Sequence, residues 1–176
     1  MIAKRILVPV DFSAPSRQAL DYAIELGRGS TTELVVLHVV EPTYYPGAAD
    51  ISGMGYDAAW LSAELERLAR QQLAELAAEL RKRRVRARTL LLLGNAHQVI
   101  AETAKKVRAD LIVMSTHGRS GLSHVLIGSV AERVVRIAPC PVLTVRAQLR
   151  ATRRRATAAA PRRTRTTTGK RPRQRR

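Results

Sequence analysis

Short, uninterrupted apolar runs recur along the chain and alternate with segments of helical periodicity. Five such runs predict β-strands, at residues 5–10, 33–40, 87–93, 110–115 and 141–146. A strand exposed on one face alternates apolar and polar residues, so continuous runs indicate strands that are covered on both faces. The pattern therefore predicts a sheet buried in the middle of the molecule.

Four other segments carry apolar residues at helical spacing. They predict helices at residues 13–27, 58–84, 94–109 and 129–138. The first begins with a capping residue, Ser13, and an early Pro15, and the third has Asn95 and Gln98 at capping-box spacing. The longest carries one stripe, at Leu61, Leu65, Leu68, Gln72, Leu76 and Leu80. Such a stripe is typical of core packing or of a partner interface, and we favour the core.

The order of these elements predicts an α/β fold with a doubly wound, five-stranded parallel sheet and helices on both faces. Ligands of such sheets bind outside the carboxyl ends of the strands. Asp11, Val39 and the segment after Met114 all lie at that edge. Residues 41–57 carry Pro, Gly and Asp signals and are predicted to form a long loop, a class that is often functional.

The net charge of +17 in 176 residues is unevenly distributed. Residues 147–176 hold 12 of the 31 Lys and Arg and no acid, which leaves 19 basic against 14 acidic residues, or +5, for the rest. A chain of this length suits one domain, at 1–146, followed by an Arg-rich tail that has too few large apolar residues to fold. The tail is typical of nonspecific nucleic-acid binding or of a solvated segment without a fixed partner, and it is also compatible with binding to an acidic protein or a membrane surface.

Cysteine and hydropathy narrow the class of protein further. The single cysteine, Cys140, precludes an intrachain disulfide and a Cys-based zinc cluster, and we expect a small buried thiol there rather than a nucleophile. No apolar run reaches the eighteen or so residues of a membrane span, and the first residues lack a signal-peptide core. We therefore expect a cytoplasmic protein.

The stretch "STHGRSGLSHVLIGS", at 115–129, follows a predicted buried strand and has no acidic residue. Gly118 and Gly128 permit close approach to the backbone, and the predicted helix after Gly128 has an N-terminus that favours an anion. These features indicate a phosphate cradle. However, Ser129 and Glu132 also stand at capping-box spacing, so Ser129 is equally well explained as the cap of its own helix.

Three blocks resemble the universal stress protein family: "ILVPVDFS", "LHVVEP" and the segment "ADLIVMSTHGRSGLSHVLIGSVAERVVRIAPCPVLTVR". The resemblance covers residues 3–146 in order. It implies the strand order 3-2-1-4-5, a homodimer formed through the last strand (Pro141 to Arg146), and ATP as a ligand. The ATP-binding branch has the motif Gly-x2-Gly-x9-Gly-Ser/Thr. Gly118, Gly128 and Ser129 match its later part, whereas Ser115 replaces its first glycine.

The resemblance also implies roles for ten residues around a nucleotide. Pro9 and Asp11 would lie at the adenine and ribose end, Val39 would meet the adenine through its backbone, and Met114 and Ser115 would border the ribose. The phosphates would be surrounded by Gly118, Arg119, Gly128, Ser129 and Val130. Asp11 would also suit a magnesium ion, although a turn acid before Ser13 explains it equally well.

Enzyme functions fit the sequence less well than a binding function. The P-loop pattern Gly-x4-Gly-Lys-Ser/Thr is absent, and the segment after the third strand, "LGNAH", lacks the phospho-accepting Asp of a response regulator. His38 is interpreted as a core or edge histidine and His97 as a polar residue of a helix's first turn. We assign no catalytic residue and expect at most slow, incidental ATP hydrolysis. The chain is thus expected to be an ATP-binding regulatory protein of a stress response, or alternatively a dimeric nucleic-acid-binding protein whose tail supplies the affinity.

Overall fold

A computed structural model describes residues 3–41, 58–116 and 128–146. Strands and helices alternate from β1 to β5. The strands are β1 (Arg5–Pro9), β2 (Glu33–Val40), β3 (Ala87–Leu93), β4 (Leu111–Ser115) and β5 (Val142–Val145). The helices are α1 (Ala14–Gly27), α2 (Ala58–Lys82), α3 (Ala96–Lys106) and α4 (Ser129–Ile137). The predicted elements are all present, and their ends differ by a few residues at most.

The five strands form one parallel sheet in the order β3-β2-β1-β4-β5. The predicted fold class and strand order are therefore confirmed. The longest pairing joins β2 to β3, from Leu34 opposite Ala87 to Val40 opposite Leu93. Because all strands are parallel, their carboxyl ends meet at one edge and their amino ends at the other. β5 lies at an edge of the sheet, and dimerisation through it remains a prediction.

Alternate residues of the central strands enter two separate cores, one on each face. Ile6 and Val8 of β1 pack with α1 and α2, whereas Leu7 between them packs with α3 and α4. All three are at most 1% exposed. This two-sided burial is the reason why the strands appear in the sequence as continuous apolar runs.

The apolar stripe of α2 is only partly in the core, which corrects the prediction. Leu76 and Leu80 are buried as expected, but Leu65 and Leu68 are 38% and 43% exposed, and Gln72 is exposed. The buried row of the helix runs instead through Ala69, Leu73, Leu76 and Leu80. The buried row of α2 thus begins near its middle, at Ala69, and continues into its carboxyl-terminal half.

Two helices end in the same backbone motif, and each places an arginine at the left-handed position. After α2, the N–H of Val85 donates to the carbonyl of Leu80 and that of Arg84 to Arg81, and Arg84 has a φ of 55°. After α3, Arg108 has a φ of 52° and donates to Lys105. This is the Schellman motif, in which the left-handed residue is usually glycine.

Cys140 follows α4 and is half-buried, somewhat more exposed than expected. Burial, assisted by the nearby Asp110 carboxylate, raises the pKa of its thiol above the usual value. That direction is opposite to the one that activates a nucleophilic cysteine. Within the described ranges no helix is both long and apolar enough to cross a bilayer.

Candidate functional site

A cavity of about 1140 Å³ opens at the carboxyl edge of the sheet. It lies between the ends of β1, β2 and β4, the amino ends of α3 and α4, and one side of α2. A volume of this size accommodates a ligand as large as a nucleotide. The location is the one at which ligands bind doubly wound sheets.

The turn between β1 and α1 is organised by Asp11. Its Oδ1 accepts hydrogen bonds from the backbone N–H of Ser13 at 3.0 Å and from the Ser13 hydroxyl at 2.5 Å. Ser13 in turn caps α1, because its Oγ accepts from the N–H of Ser16. The interpretation of Asp11 as a turn acid is therefore confirmed, and any contact with a ligand would be additional to this role.

Two rings form the wall of the cavity behind this turn. His38 is only 5% exposed, and its Nδ1 lies 2.7 Å from the carbonyl oxygen of Val10. The ring of Phe12 packs against the imidazole with a centroid distance of 4.4 Å. Phe12 has a φ of 63°, a left-handed conformation that is uncommon for an aromatic residue. His38 is thus a core histidine, as predicted, and it fixes the end of β1 beside the cavity.

The amino end of α4 forms the opposite side. Gly128 is the N-cap residue, with a φ of −68° and no side-chain capping bond, and Ser129 is the first helical residue. The N–H of Glu132 donates to the Gly128 carbonyl, and the Glu132 carboxylate pairs with Arg136. The capping-box interpretation of Ser129 is therefore wrong, since Ser129 lies one residue inside the helix.

The amino end of α3 is capped from a different strand. Asn95 occupies the N-cap position, but its side chain makes no capping bond, so the capping-box expectation fails here as well. Instead, Oε1 of Glu41, directly after β2, accepts from the N–H of Ala96 at 2.8 Å. The sequence holds no local signal for this contact, because the two residues are 55 positions apart.

Eight of the ten predicted site residues line this one cavity: Pro9, Asp11, Val39, Met114, Ser115, Gly128, Ser129 and Val130. Gly118 and Arg119 lie outside the described residues. Ser115 ends β4 opposite Val145 and does not adopt a left-handed conformation, so its backbone does not require glycine. The roles of these residues toward a ligand remain predictions.

The α2 side of the cavity was not foreseen. Leu65, Leu68, Gln72 and Glu75 all line it. Leu65 and Leu68 have the same helical spacing as the buried leucines of α2. The sequence pattern therefore could not distinguish leucines that line the cavity from leucines of the core.

The described part of the cavity wall is acidic. Among the described residues that line it there is no Lys or Arg, whereas Asp11, Glu41 and Glu75 are present. Nor do the described residues bring together three His, Cys, Asp or Glu side chains that could hold a metal.

Comparison with known proteins identifies related chains. The model of the Universal stress protein family matches residues 3–146. A universal stress protein of Methanocaldococcus jannaschii is 34% identical over 145 residues, which cover 81% of this chain and 82% of the relative. Universal stress protein A homolog 1 of Coxiella burnetii is 35% identical over 144 residues, which cover 81% of this chain and 95% of the relative.

Solved structures show the same fold. The hypothetical protein MJ0577 of M. jannaschii superposes with a TM-score of 0.72 at 26% identity, covering 85% of this chain and 99% of that one. Two more distant structures, both at a TM-score of 0.55, contain nucleotides. One is a universal stress protein in complex with cAMP, at 24% identity, covering 83% of this chain and 98% of that one. The other is a family member from Arabidopsis thaliana with AMP bound, at 20% identity, covering 85% of this chain and 95% of that one.

Proposed function

Since the chain belongs to the universal stress protein family, we propose that it is a regulatory protein of a stress response that binds an adenine nucleotide, with ATP as the ligand. The observation that carries the proposal is the cavity at the carboxyl edge, which gathers eight of the ten expected site residues from four separate parts of the chain. The relatives with cAMP and AMP share the fold, but at 24% and 20% identity they add no more than that.

The phosphates of the ligand would lie at the amino end of α4. In this helix the cap residue is Gly128, which has no side chain to occupy the first-turn N–H groups. Those groups and the positive end of the helix dipole favour a phosphate. Gly128 is itself anchored, because its N–H donates to the carbonyl of Thr116 at 2.6 Å. The adenine and ribose would then extend toward Pro9, Val39 and Asp11.

The acidic wall makes the counter-charge of the phosphates a central part of the proposal. Asp11, Glu41 and Glu75 would repel the phosphates, and no described lining residue is Lys or Arg. Among the described groups, only backbone N–H groups would attract the phosphates. Arg119 and a magnesium ion would supply the missing positive charge. Asp11 is the residue that would hold the ion, together with phosphate oxygens, and the ion would neutralise charge on the phosphates.

We propose regulation rather than catalysis as the role of the bound nucleotide. No residue is assigned to proton transfer or nucleophilic attack, and any hydrolysis would be slow and incidental. In this scheme occupancy of the cavity is the signal. A homodimer formed through the last strand, predicted at Pro141 to Arg146, would present that signal in two copies, and the position of β5 at a sheet edge supports this arrangement.

The test is a substitution that affects helix stability and phosphate binding in opposite directions. Ser129→Asp adds an acid to the first turn of α4, which stabilises the helix through its dipole. It also adds a negative charge where the phosphates would lie. ATP binding, measured by titration calorimetry with and without Mg²⁺, should weaken at least tenfold, whereas Ser129→Asn should bind nearly as the wild type does. Unchanged binding in the Asp variant, or no adenine-nucleotide binding by the wild type, would refute the proposal.

Nucleic-acid binding through residues 147–176 is the second candidate. The twelve Lys and Arg of this segment and its lack of acids support it, because counterion release drives such binding without sequence recognition. Comparing the full chain with a chain that ends at Arg146 tests it. The shorter chain should keep ATP binding and lose most of its affinity for DNA or RNA. Equal affinity of the two chains would contradict this candidate.

A further inference from the structure

The basic residues of the described domain are concentrated at the edge of the sheet opposite the cavity. We define the amino edge as residues 3–5, 25–33, 79–88 and 102–110, the turns that lead into β1, β2, β3 and β4. These segments hold 12 Lys and Arg against five acids. The excess of seven is larger than the net charge of +5 for all of residues 1–146, so the amino edge accounts for the basic character of the domain.

Most acids at this edge are already paired. Glu33 binds Arg5 at 3.0 Å and Arg88 at 3.1 Å, while Glu25 pairs with Arg28. Glu79 pairs with Arg17 and Arg83, and Glu102 with Lys106. Asp110 accepts backbone N–H bonds from Lys4 and Arg5.

Seven basic side chains of the edge form no ion pair with any described residue. They are Lys4, Arg81, Lys82, Arg84, Arg86, Lys105 and Arg108. All seven are exposed. Their charges are therefore available to an anionic partner.

These side chains belong to one continuous surface. Backbone hydrogen bonds join the turns to one another. The N–H of Glu33 donates to the carbonyl of Lys4, and the N–H of Leu34 donates to the carbonyl of Arg86. The N–H of Asp110 donates to the carbonyl of Arg5. From β3 across β2 and β1 to β4 there are three strand spacings of about 4.8 Å, or about 14 Å. A surface of that width is larger than one phosphate group and suits an extended polyanion.

Two arginines of this surface occupy positions that disfavour them. Arg84 and Arg108 are the left-handed residues after α2 and α3, with φ of 55° and 52°. Attraction to the helix dipole explains basic residues in a last turn, such as Arg81 and Lys105. It does not explain why a left-handed position, where glycine is preferred, holds arginine twice at the same edge. A local conformational cost that recurs at one surface points to a role for the side chain.

We propose that the amino edge of the sheet binds the phosphate backbone of nucleic acid, through Arg84, Arg86, Arg108 and the lysines beside them. This surface is separate from the nucleotide cavity at the opposite edge and from residues 147–176, so it does not depend on either proposed function. Arginine supports nucleic acid as the partner, because the guanidinium fork matches phosphate oxygens. Double-stranded DNA carries one charge per about 1.7 Å of its axis when both strands are counted, so a 14 Å length holds about eight phosphates, and a surface on one side of the duplex faces a part of them.

The experiment measures the salt dependence of duplex binding by the full chain. Affinity for a short fluorescent DNA duplex is determined by anisotropy between about 50 and 200 mM salt, and the slope of log affinity against log salt counts the phosphates contacted. Replacing Arg84, Arg86 and Arg108 by Gln should reduce the magnitude of that slope by about 2.7, since each contact contributes about 0.9.

The matched control removes three charges elsewhere on the domain. Arg67, Arg70 and Arg133 are exposed and lie outside the amino edge, so their replacement by Gln changes the net charge by the same amount, although Arg67 and Arg70 pair with Glu64 and Glu66. The control should keep the wild-type slope. An equal fall in both triple variants, or no fall in the amino-edge variant, would overturn the proposal.

Two further measurements keep the outcome unambiguous. The variant Arg84→Gly with Arg108→Gly suits the left-handed backbone, so it should fold at least as stably and still lose about two phosphate contacts. A chain that ends at Arg146 measures DNA binding by the amino edge without the tail. The match covers 95% of the Coxiella relative, so a chain of nearly this extent exists as a protein, which supports folding of residues 1–146 by themselves. The same salt titration is repeated with a fluorescent oligoglutamate peptide of the same charge as the duplex. If the amino-edge variants lost as much slope with this peptide as with DNA, the partner would be an acidic polypeptide and the proposal would be wrong.

Discussion

Replacing Arg84 by glycine should stabilise the protein, although it removes a charged side chain from a helix end. Arg84 follows α2 in a Schellman motif, with its N–H bonded to the carbonyl of Arg81 at 2.9 Å and a φ of 55°. Glycine adopts this conformation without the steric conflict between Cβ and the carbonyl that any L-residue meets.

The magnitude follows from a comparison with Arg81→Gly, three residues earlier. Relief of the left-handed conformation at Arg84 contributes about 1 kcal/mol. Arg81 is helical, so glycine there costs about 0.8 kcal/mol. Each substitution also loses the interaction of one positive charge with the helix end, about 0.3 kcal/mol, and this loss cancels between the two variants. The two glycine variants should therefore differ by about 1.8 kcal/mol, with Arg84→Gly above the wild type and Arg81→Gly below it.

The assay is equilibrium urea unfolding of the full chain, followed by circular dichroism, with thermal melts in support. For a chain of this size a difference of 1.8 kcal/mol corresponds to about 4–7 °C in Tm. The order Arg84→Gly, wild type, Arg81→Gly is the essential result. If both variants were destabilised to the same extent, the left-handed assignment of Arg84 and the argument built on it would be refuted.

Three further outcomes test other parts of the fold. Gly94 has a φ of 137°, and a Cβ there would lie 3.0 Å from Cγ2 of Val99, so Gly94→Asn should lower the free energy of unfolding in urea by more than about 1 kcal/mol. Gly29 has a φ of 71° and open space around it, so Gly29→Asn should cost much less. Equal costs of the two variants would contradict this reasoning. The hydrogen bond from Arg5, followed by the charges of Arg5 and Arg88, holds the pKa of Glu33 below its ordinary value of 4.5. The ionised Glu33 carboxylate therefore stabilises the fold above pH 4.5, and this stabilisation is lost as the pH falls further. In urea unfolding, the difference in stability between wild type and Glu33→Gln should shrink below pH 4.5, and a constant difference would argue against the ion pairs. Because burial raises the pKa of Cys140, its alkylation by iodoacetamide near neutral pH should be slower than that of glutathione, and an equal rate would show an accessible thiolate.

Local patterns were sufficient for the elements themselves. β2 and β3 have the predicted ends, because each is a continuous apolar run bounded by turn residues. The Ser13 cap of α1 was also predicted correctly, since its side chain and the N–H it receives are three residues apart. The strand order, in contrast, came from the family resemblance, as periodicity does not specify which strands are neighbours.

Errors arose where a local pattern had two structural solutions. α2 has 25 residues, about 37 Å, whereas β2 has eight, about 26 Å. The first turns of α2 therefore extend past the sheet, and Leu65 and Leu68 line the cavity although their spacing matches that of buried leucines. At α4 the Ser129–Glu132 spacing is compatible with a capping box, but the helix begins one residue earlier than that motif requires, with Gly128 as its cap.

Short-range patterns in the sequence specify the alternation of strands and helices, the buried runs, and which residues lie at the carboxyl edge, because each depends on neighbours within a few positions. Only the tertiary structure brought Phe12 onto His38 and Glu41 onto the first turn of α3, contacts between residues far apart in the chain. It also sorted the charges. In a parallel sheet every helix returns the chain to the amino edge, so basic residues scattered over more than 100 positions collect on one surface, opposite a cavity whose described wall is acidic.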